Sequence, residues 1–331
     1  MLSATAQAAN IQPSTHTSCA ISLSGEITEN DGSEFLSVVE SLGMTYAEGD
    51  FEANNPETSA LCLNSSGGHF FAGQFIAHIV HKNGIPTRVL NDDECYSACA
   101  MIFMAGRSLG AEWDTPFRAL EPKARVGFHA PYANFDENFE LSGAQLNSIV
   151  AFQNAMVSEI VRSGTYKSIF SHRPAFSPML LAEMLAADRD ELVLIETIGD
   201  VERWGVTLEN HVTVKEFDKR AIANACENFQ SWQLDTEPKL TSGSYLPEIK
   251  IVTKNNEYGE EVQMLRVNTG GMAERYCLVS WDVKNPEFFQ ICSVDDFSGV
   301  HFGRCPDAPF RVPVYYALPS RTPIFMLAND N

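Results

Sequence analysis

The strongest constraint on the fold is the unbroken apolar run Ala98-Cys99-Ala100-Met101-Ile102-Phe103-Met104-Ala105, closed by Gly106. A stretch this apolar on every side belongs in a buried helix, so the rest of the chain must cover it all round. Asp92, Asp93 and Glu94 precede it as loop or cap residues, and Cys95-Tyr96-Ser97 leads into it. Ser97 therefore falls at a helix start. There, free N–H groups and the positive end of the helix dipole stabilise an alkoxide or oxyanion, as a nucleophilic serine requires. A serine at a helix start also serves as an ordinary N-cap, and position alone does not separate the two readings.

The chain upstream is built to wrap such a helix. Residues 19–25 alternate apolar with small polar side chains and end in Gly25, which predicts a strand and turn. Phe35, Val38, Val39 and Leu42 recur at helical spacing between Asp31 and Gly43, which predicts an amphipathic helix. Ala60-Leu61-Cys62-Leu63 is wholly apolar, as a strand buried on both faces of a parallel sheet must be, and it runs into Asn64-Ser65-Ser66-Gly67-Gly68. Phe75, Ile76, Ile79 and Val80 mark a following helix, and residues 87–90 a third strand.

Downstream, Arg125-Val126-Gly127-Phe128 predicts a strand with His129 at its carboxyl end and Pro131 turning the chain. Residues 136–140 are polar and read as a surface loop. A long helix is expected from Ser142, with Leu146, Ile149, Val150, Val157, Ile160 and Val161 facing inward and Gly164 past its end. A shorter helix spans about 179–187, residues 192–195 form a strand, and residues 201–205 close a last short helix. Alternating strands and helices imply an α/β fold with right-handed crossovers and a parallel sheet covered on both sides.

Past about Asn224 the character changes. Short strand-like runs at 249–252, 263–267, 276–279 and 312–316 are separated by Asn, Gly and Pro turns, which predicts a separate, smaller β-rich domain over 224–331 with no recognisable catalytic set. The expected division is therefore an N-terminal tail over 1–18, an α/β domain over 19–223, and this β domain.

Composition excludes several partners. The formal net charge of −20 repels phosphate backbones and anionic lipid surfaces, which argues against nucleic acid as a partner. No apolar run approaches the roughly 18 residues of a membrane span. Ala6-Gln7-Ala8 has the small-x-small form of a signal peptidase site, yet no charged or apolar region precedes it; it is either a remnant of export or chance. The 8 cysteines form no C-x-x-C sets of the kind a zinc site uses, so neither metal nor cofactor is expected, and they point to an oxidising compartment. His69, His78 and His81 have no carboxylate or cysteine at ligand spacing and read as surface residues.

In an open parallel sheet the carboxyl ends of the strands share one crevice. Gly67-Gly68, Ser97 and His129 all follow strand ends, so one cleft would collect amide donors, a hydroxyl and an imidazole. That set suits acyl transfer by a serine nucleophile with a histidine base and a backbone oxyanion hole.

The motifs Asn64-Ser65-Ser66-Gly67-Gly68, Ala72-Gly73, Ser97 with Gly106 nine positions on, and Gly127-Phe128-His129-Ala130-Pro131 together resemble the proteolytic subunit of the Clp protease. The likeness is to the ClpP/crotonase superfamily, and within it to a ClpP-like periplasmic branch whose serine sits in a Cys-x-Ser-Ala-Cys context. The resemblance covers roughly 22–206. It implies a β-β-α superhelix, Ser97 as nucleophile, His129 as general base, and the amides of Gly68 and Ala98 as oxyanion hole. It places the third triad member in Ala187-Asp188-Arg189-Asp190, at Asp190, which directly precedes a strand, with Asp188 as the alternative. Ser66 stands where the family has a proline, and the interval from Asp190 to Trp204-Gly205 is longer than the family's. Cys95 and Cys99 flank Ser97 at a spacing a disulfide can reach. The implied function is a serine peptidase acting on peptides or proteins in the cell envelope as a homo-oligomer; an exported enzyme would lack ATP, so a partner unfoldase of the Clp kind is not expected. A crotonase-type acyl-CoA enzyme and a non-catalytic scaffold that kept the fold are the alternatives.

Overall fold

A computed structural model describes residues 8–46, 58–110, 113–132, 142–164, 174–188, 191–212, 217–238, 250–255, 261–268, 276–282, 285–294 and 310–329. The fold is mixed α/β, with several sheets and seven α-helices among the described residues. It divides into two units. The first comprises Met1–Glu196 with Trp204–Asn210, the second Thr197–Arg203 with His211–Asn331. No helix among the described residues is long and apolar enough to cross a membrane.

The first unit is organised on a six-stranded sheet. Strands β2 (Cys19–Ser24), β3 (Ala60–Asn64), β4 (Thr87–Val89), β8 (Arg118–Leu120) and β11 (Thr207–Leu208) run parallel in that order. Strand β1 (Asn10–Pro13) adds an antiparallel edge on β2, so part of the expected N-terminal tail is sheet. Ile21, Leu23, Leu61, Leu63, Val89 and Leu120 are buried to 1% exposure or less, the burial expected of a parallel sheet covered on both faces. Helices α1 (Asp31–Ser41) and α2 (Phe70–Lys82) form where the periodicity puts them. Phe35 and Val39 of α1 and Ile76, Ile79 and Val80 of α2 are among their buried positions, whereas Leu42 and Phe75 of the expected faces are exposed. A disulfide from Cys19 to Cys62 joins β2 to β3.

One element departs from the single-sheet expectation. After β4 the chain turns through Asp92, at φ 67°, and starts a second sheet with β5 (Glu94–Tyr96). There β5 lies parallel to β9 (Arg125–Phe128), which is flanked on its far side by antiparallel β10 (Val193–Leu194). Ser65, just past β3, bridges Cys95, so the two sheets meet where β3 ends. Helix α3 (Ala98–Met104) follows β5 with every residue buried, and a hairpin, β6 (Arg107–Gly110) and β7 (Trp113–Pro116), follows it.

Helix α4 (Gly143–Gly164) contradicts its predicted inward face. Among its described side chains only Met156, Ile160 and Gly164 are buried; Leu146, Val150 and Val161 are 40–50% exposed, while Ile149 and Val157 are half-buried. The fully buried positions lie in its C-terminal half, while in the N-terminal half the exposed Phe152 makes a ring contact with Phe71 of α2 at 5.6 Å. Helix α5 (Pro178–Ala186) is capped by Ser177, whose Oγ accepts from the Leu180 amide.

The second unit holds α6 (Ile198–Arg203) and a five-stranded antiparallel sheet of β12 (Lys250–Asn255), β13 (Glu261–Asn268), β14 (Tyr276–Asp282), β15 (Asn285–Val294) and β16 (Phe310–Pro313). The expected boundary at 223/224 falls inside α7 (Lys219–Gln233), a helix that sequence reading missed. Asp218 caps it, and every residue from Ala221 to Phe229 is buried, Ile222, Cys226 and Phe229 among them. Cys226 is bonded to Cys277 of β14, and Asn228 donates to the carbonyls of Tyr316 and Leu318.

Candidate active site

Ser97 is the junction of β5 and α3 and stands at φ 56°, ψ −120°. Such a conformation costs a non-glycine residue on the order of 1–3 kcal/mol and persists only where the surroundings impose it. Its amide donates to the Gly127 carbonyl (3.0 Å), its carbonyl accepts from Met101 (3.3 Å), and the Tyr96 amide beside it donates to Ser65 (3.0 Å). The Ser97 hydroxyl makes no capping bond to α3. The plain N-cap reading is thereby overturned: Ser97 precedes α3 without its hydroxyl accepting from the first amides of the helix. The side chain is half-exposed.

The Gly67-Gly68 pair packs against this turn. A Cβ on Gly67 would lie 2.6 Å from the Tyr96 carbonyl oxygen and 2.8 Å from Ser97 Cβ. A Cβ on Gly68, at φ 137°, would lie 2.2 Å from the Ile27 carbonyl oxygen. Only glycine fits either place. Ser65 is buried and its Oγ accepts from the Gly67 amide (3.1 Å), while Ile27 clamps the turn from the other side by donating to Gly67 and accepting from His69. The amides of Gly68 and Ala98 have no acceptor among the described residues.

His129 follows β9, the neighbour of β5, two residues beyond the Gly127 carbonyl that holds Ser97. It is half-buried. Its Nδ1 lies 2.7 Å from the Ala130 carbonyl oxygen, so Nδ1 carries the proton and Nε2 is the basic nitrogen of the neutral ring. Tyr132 stacks beside it at 5.1 Å between ring centroids. No hydrogen bond joins the Ser97 hydroxyl to His129 in the structure. Tyr96 lies opposite Gly127, and burial pushes its phenol above the usual value, with Arg125 opposing and Glu94 adding.

The structure packs Gly67 against the turn through Tyr96, Ser97 and Ala98, hydrogen-bonds Ser97 to Gly127 of β9, and sets His129 just past the end of that strand; Gly68, next to Gly67, packs on Ile27. Asp190 lies outside the described residues. Asp188 is exposed, and its carbonyl accepts from the Glu191 amide. Cys95 and Cys99, both fully buried, are disulfide-bonded to each other.

The histidines of α2 divide. His69 is exposed and caps the helix, accepting from the Ala72 amide, and His78 is exposed. His81 is not a surface residue as expected: its Nε2 lies 3.1 Å from the Arg107 guanidinium, which also reaches Asp114 (3.3 Å). Burial, then Arg107, pushes its imidazole down to about 4. No group of three or more metal-binding side chains occurs among the described residues.

Sequence reading also missed Arg118, which is 1% exposed. Its guanidinium donates to the carbonyls of Met104, Ala175, Trp204 and Gly205, fixing the C-terminal end of α3 whose first residue follows Ser97. An arginine in a short strand carries no sequence signal of that role. A cavity of about 670 Å³ lies along α2 and α3, walled by Phe71, Phe75, Met101, Met104 and Phe176; Gly68, Ser97 and His129 do not line it.

Three described disulfides fit an oxidising compartment. No protein-family model matches this chain, and no curated protein matches it.

Proposed function

We propose that the first unit is a serine hydrolase of the ClpP-like kind, a peptidase that works by acyl-enzyme chemistry in the cell envelope. One observation carries the reading: Ser97 stands at positive φ where β5 meets α3 with its hydroxyl uncommitted to the helix, in a turn packed against Gly67, and the amides of Gly68 and Ala98 have no acceptor among the described residues. A serine on a strained strand-to-helix turn is a device for presenting a nucleophile. The order β4, β5, α3 also suits the β-β-α repeat of the ClpP/crotonase superfamily.

In this reading Ser97 Oγ attacks the acyl carbon and passes its proton to His129 Nε2. The carbonyl oxygen, now negative, takes hydrogen bonds from the Gly68 and Ala98 amides. His129 returns the proton to the leaving amine, and water then repeats the sequence to release the acid. The Ala130 carbonyl keeps the imidazole in the required tautomer. By resemblance Asp190 is the third triad member, a role in which its carboxylate takes over from the Ala130 carbonyl as acceptor of the Nδ1–H. Closing the gap between hydroxyl and imidazole falls to substrate binding, since catalytic hydrogen bonds often tighten only in the complex.

A fluorophosphonate probe tests this. Wild type should be labelled at Ser97, and Ser97→Ala should lose on the order of a thousandfold or more of the labelling rate. Equal labelling of both removes the hydrolase reading. The missing bond between Ser97 and His129 favours the second reading, a scaffold that kept the fold; it predicts no labelling of either protein.

A further inference from the structure

Ser97 is the middle residue of the loop closed by the Cys95–Cys99 disulfide, whose Cα atoms lie 5.1 Å apart across a separation of four. Extended chain of that length would span roughly 13 Å. The closed bridge therefore holds the chain folded back at the serine and forbids it to straighten. The turn it encloses is the one that holds Ser97 at positive φ; besides the bridge it is held by the hydrogen bonds of Tyr96 to Ser65, Ser97 to Gly127 and Met101 to Ser97 and by the packing of Gly67, none of which is covalent. Both cysteines are fully buried, one at the centre of β5 and the other in the first turn of α3.

We propose that this disulfide is the latch that sets the reactivity of Ser97, so that the site is assembled only once these two thiols are oxidised; the inference rests on the serine-hydrolase reading above. Cys95 and Cys99 are thus positioning residues that act through Ser97. Closing the latch is thiol–disulfide exchange with an external protein disulfide. One cysteine thiolate attacks it, forming a mixed disulfide and expelling one thiolate. The second cysteine then displaces the other sulfur. One S–S bond forms as one breaks, two electrons pass to the external pair, and the two protons lost by the cysteines are taken up by the dithiol released. With the latch open, the turn relaxes towards ordinary backbone and carries the hydroxyl and the Ala98 amide away from Gly68. A chain still in a reducing compartment is then inactive, and it gains activity where disulfides form.

The test follows fluorophosphonate labelling of the full chain during graded dithiothreitol reduction below the unfolding transition, continued until the Cys95–Cys99 pair opens. Differential alkylation and mass spectrometry read every cysteine pair in the same samples. The maximal labelling rate should fall on the order of a hundredfold as Cys95–Cys99 opens, with the probe's saturation constant unchanged, as expected when a reacting atom is misplaced in a retained fold. Cys95→Ala/Cys99→Ala should show the same loss without reductant, and Cys226→Ala/Cys277→Ala should keep the wild-type rate. Labelling that stays constant while Cys95–Cys99 opens, or that follows Cys19–Cys62 instead, overturns the latch and leaves the hydrolase reading standing. Oxidised wild type that is not labelled at Ser97 overturns both.

Discussion

Two helices in this protein are each tied by a disulfide, α3 to the strand just before it and α7 to a strand far along the chain. The α7 bond joins residues 51 apart, and the α3 bond residues only four apart. In the chain-entropy account a loop of the first size contributes about 4 kcal/mol and one of the second size about 2 kcal/mol, because a short loop removes little freedom from the unfolded chain. Position differs as well. Cys226 sits in a helix whose other anchors are plentiful, among them Asn224 donating to Ala317 and Asn228 donating to Tyr316 and Leu318. Cys95–Cys99 instead encloses Ser97, whose backbone is strained and whose hydroxyl makes no cap to the helix it begins. The long-range bond belongs to stability and the short one to local geometry.

Urea unfolding of the two double variants is the widest separation of these roles. Cys226→Ala/Cys277→Ala should lose about 4 kcal/mol in the transition of the second unit, and Cys95→Ala/Cys99→Ala about 2 kcal/mol in that of the first. The comparison breaks if the short-loop variant proves the less stable of the two, because local closure would then be supporting the whole unit.

A smaller effect separates stability from site geometry within the first unit. His81 is held neutral, its imidazole pushed down to about 4 from 6.5 by burial first and by Arg107 second, with Asp114 opposing. The unfolded chain binds the proton near pH 6.5 and the folded chain only near 4. Stability is therefore full above 6.5, drains as pH falls towards 4, and is level below. The loss should amount to about 1–2 kcal/mol once solvent screening is allowed for. His81→Gln should flatten that slope, read as urea midpoints at pH 7 and 4.5, and should leave the labelling rate of Ser97 at pH 7 untouched. A changed rate at pH 7 would couple α2 to the elbow and dissolve the division drawn here.

How much of this was legible in the sequence depends on which force decides each element. Burial decides β3 and α3, and Ala60-Leu61-Cys62-Leu63 and residues 98–105 announce it outright. Strand ends carrying Gly67-Gly68, Ser97 and His129 were legible because turn chemistry is local. The second sheet was not, since nothing in Asp92-Asp93-Glu94 distinguishes a loop from a turn at positive φ that starts a new sheet at β5. Helix α7 was missed although Asp218, Ile222, Cys226 and Phe229 spell its cap and stripe; the change of character near Asn224 masked a helix that crosses it. The face of α4 shows the opposite error, for a stripe records what could be buried and says nothing of what covers it. No periodicity encodes the backbone angle of Ser97 or the carbonyls that gather on Arg118, because both are imposed by segments distant in sequence.

The smallest expected effect bears most directly on the elbow. If the surroundings force Ser97 to φ 56°, glycine should be the more comfortable residue there, since it meets no Cβ penalty at positive φ. The relieved strain of about 1–3 kcal/mol is offset in part by glycine's larger loss of chain entropy, roughly 0.5–1 kcal/mol. Ser97→Gly should therefore stabilise the first unit by about 1 kcal/mol, whereas Ser97→Ala, which keeps the Cβ and the strain, should change it by less than about 0.5 kcal/mol. Both abolish labelling, so stability alone discriminates between them. A glycine variant less stable than the alanine one would mean that the turn is comfortable for serine, and the hydroxyl would then owe its exposure to something other than an enforced backbone.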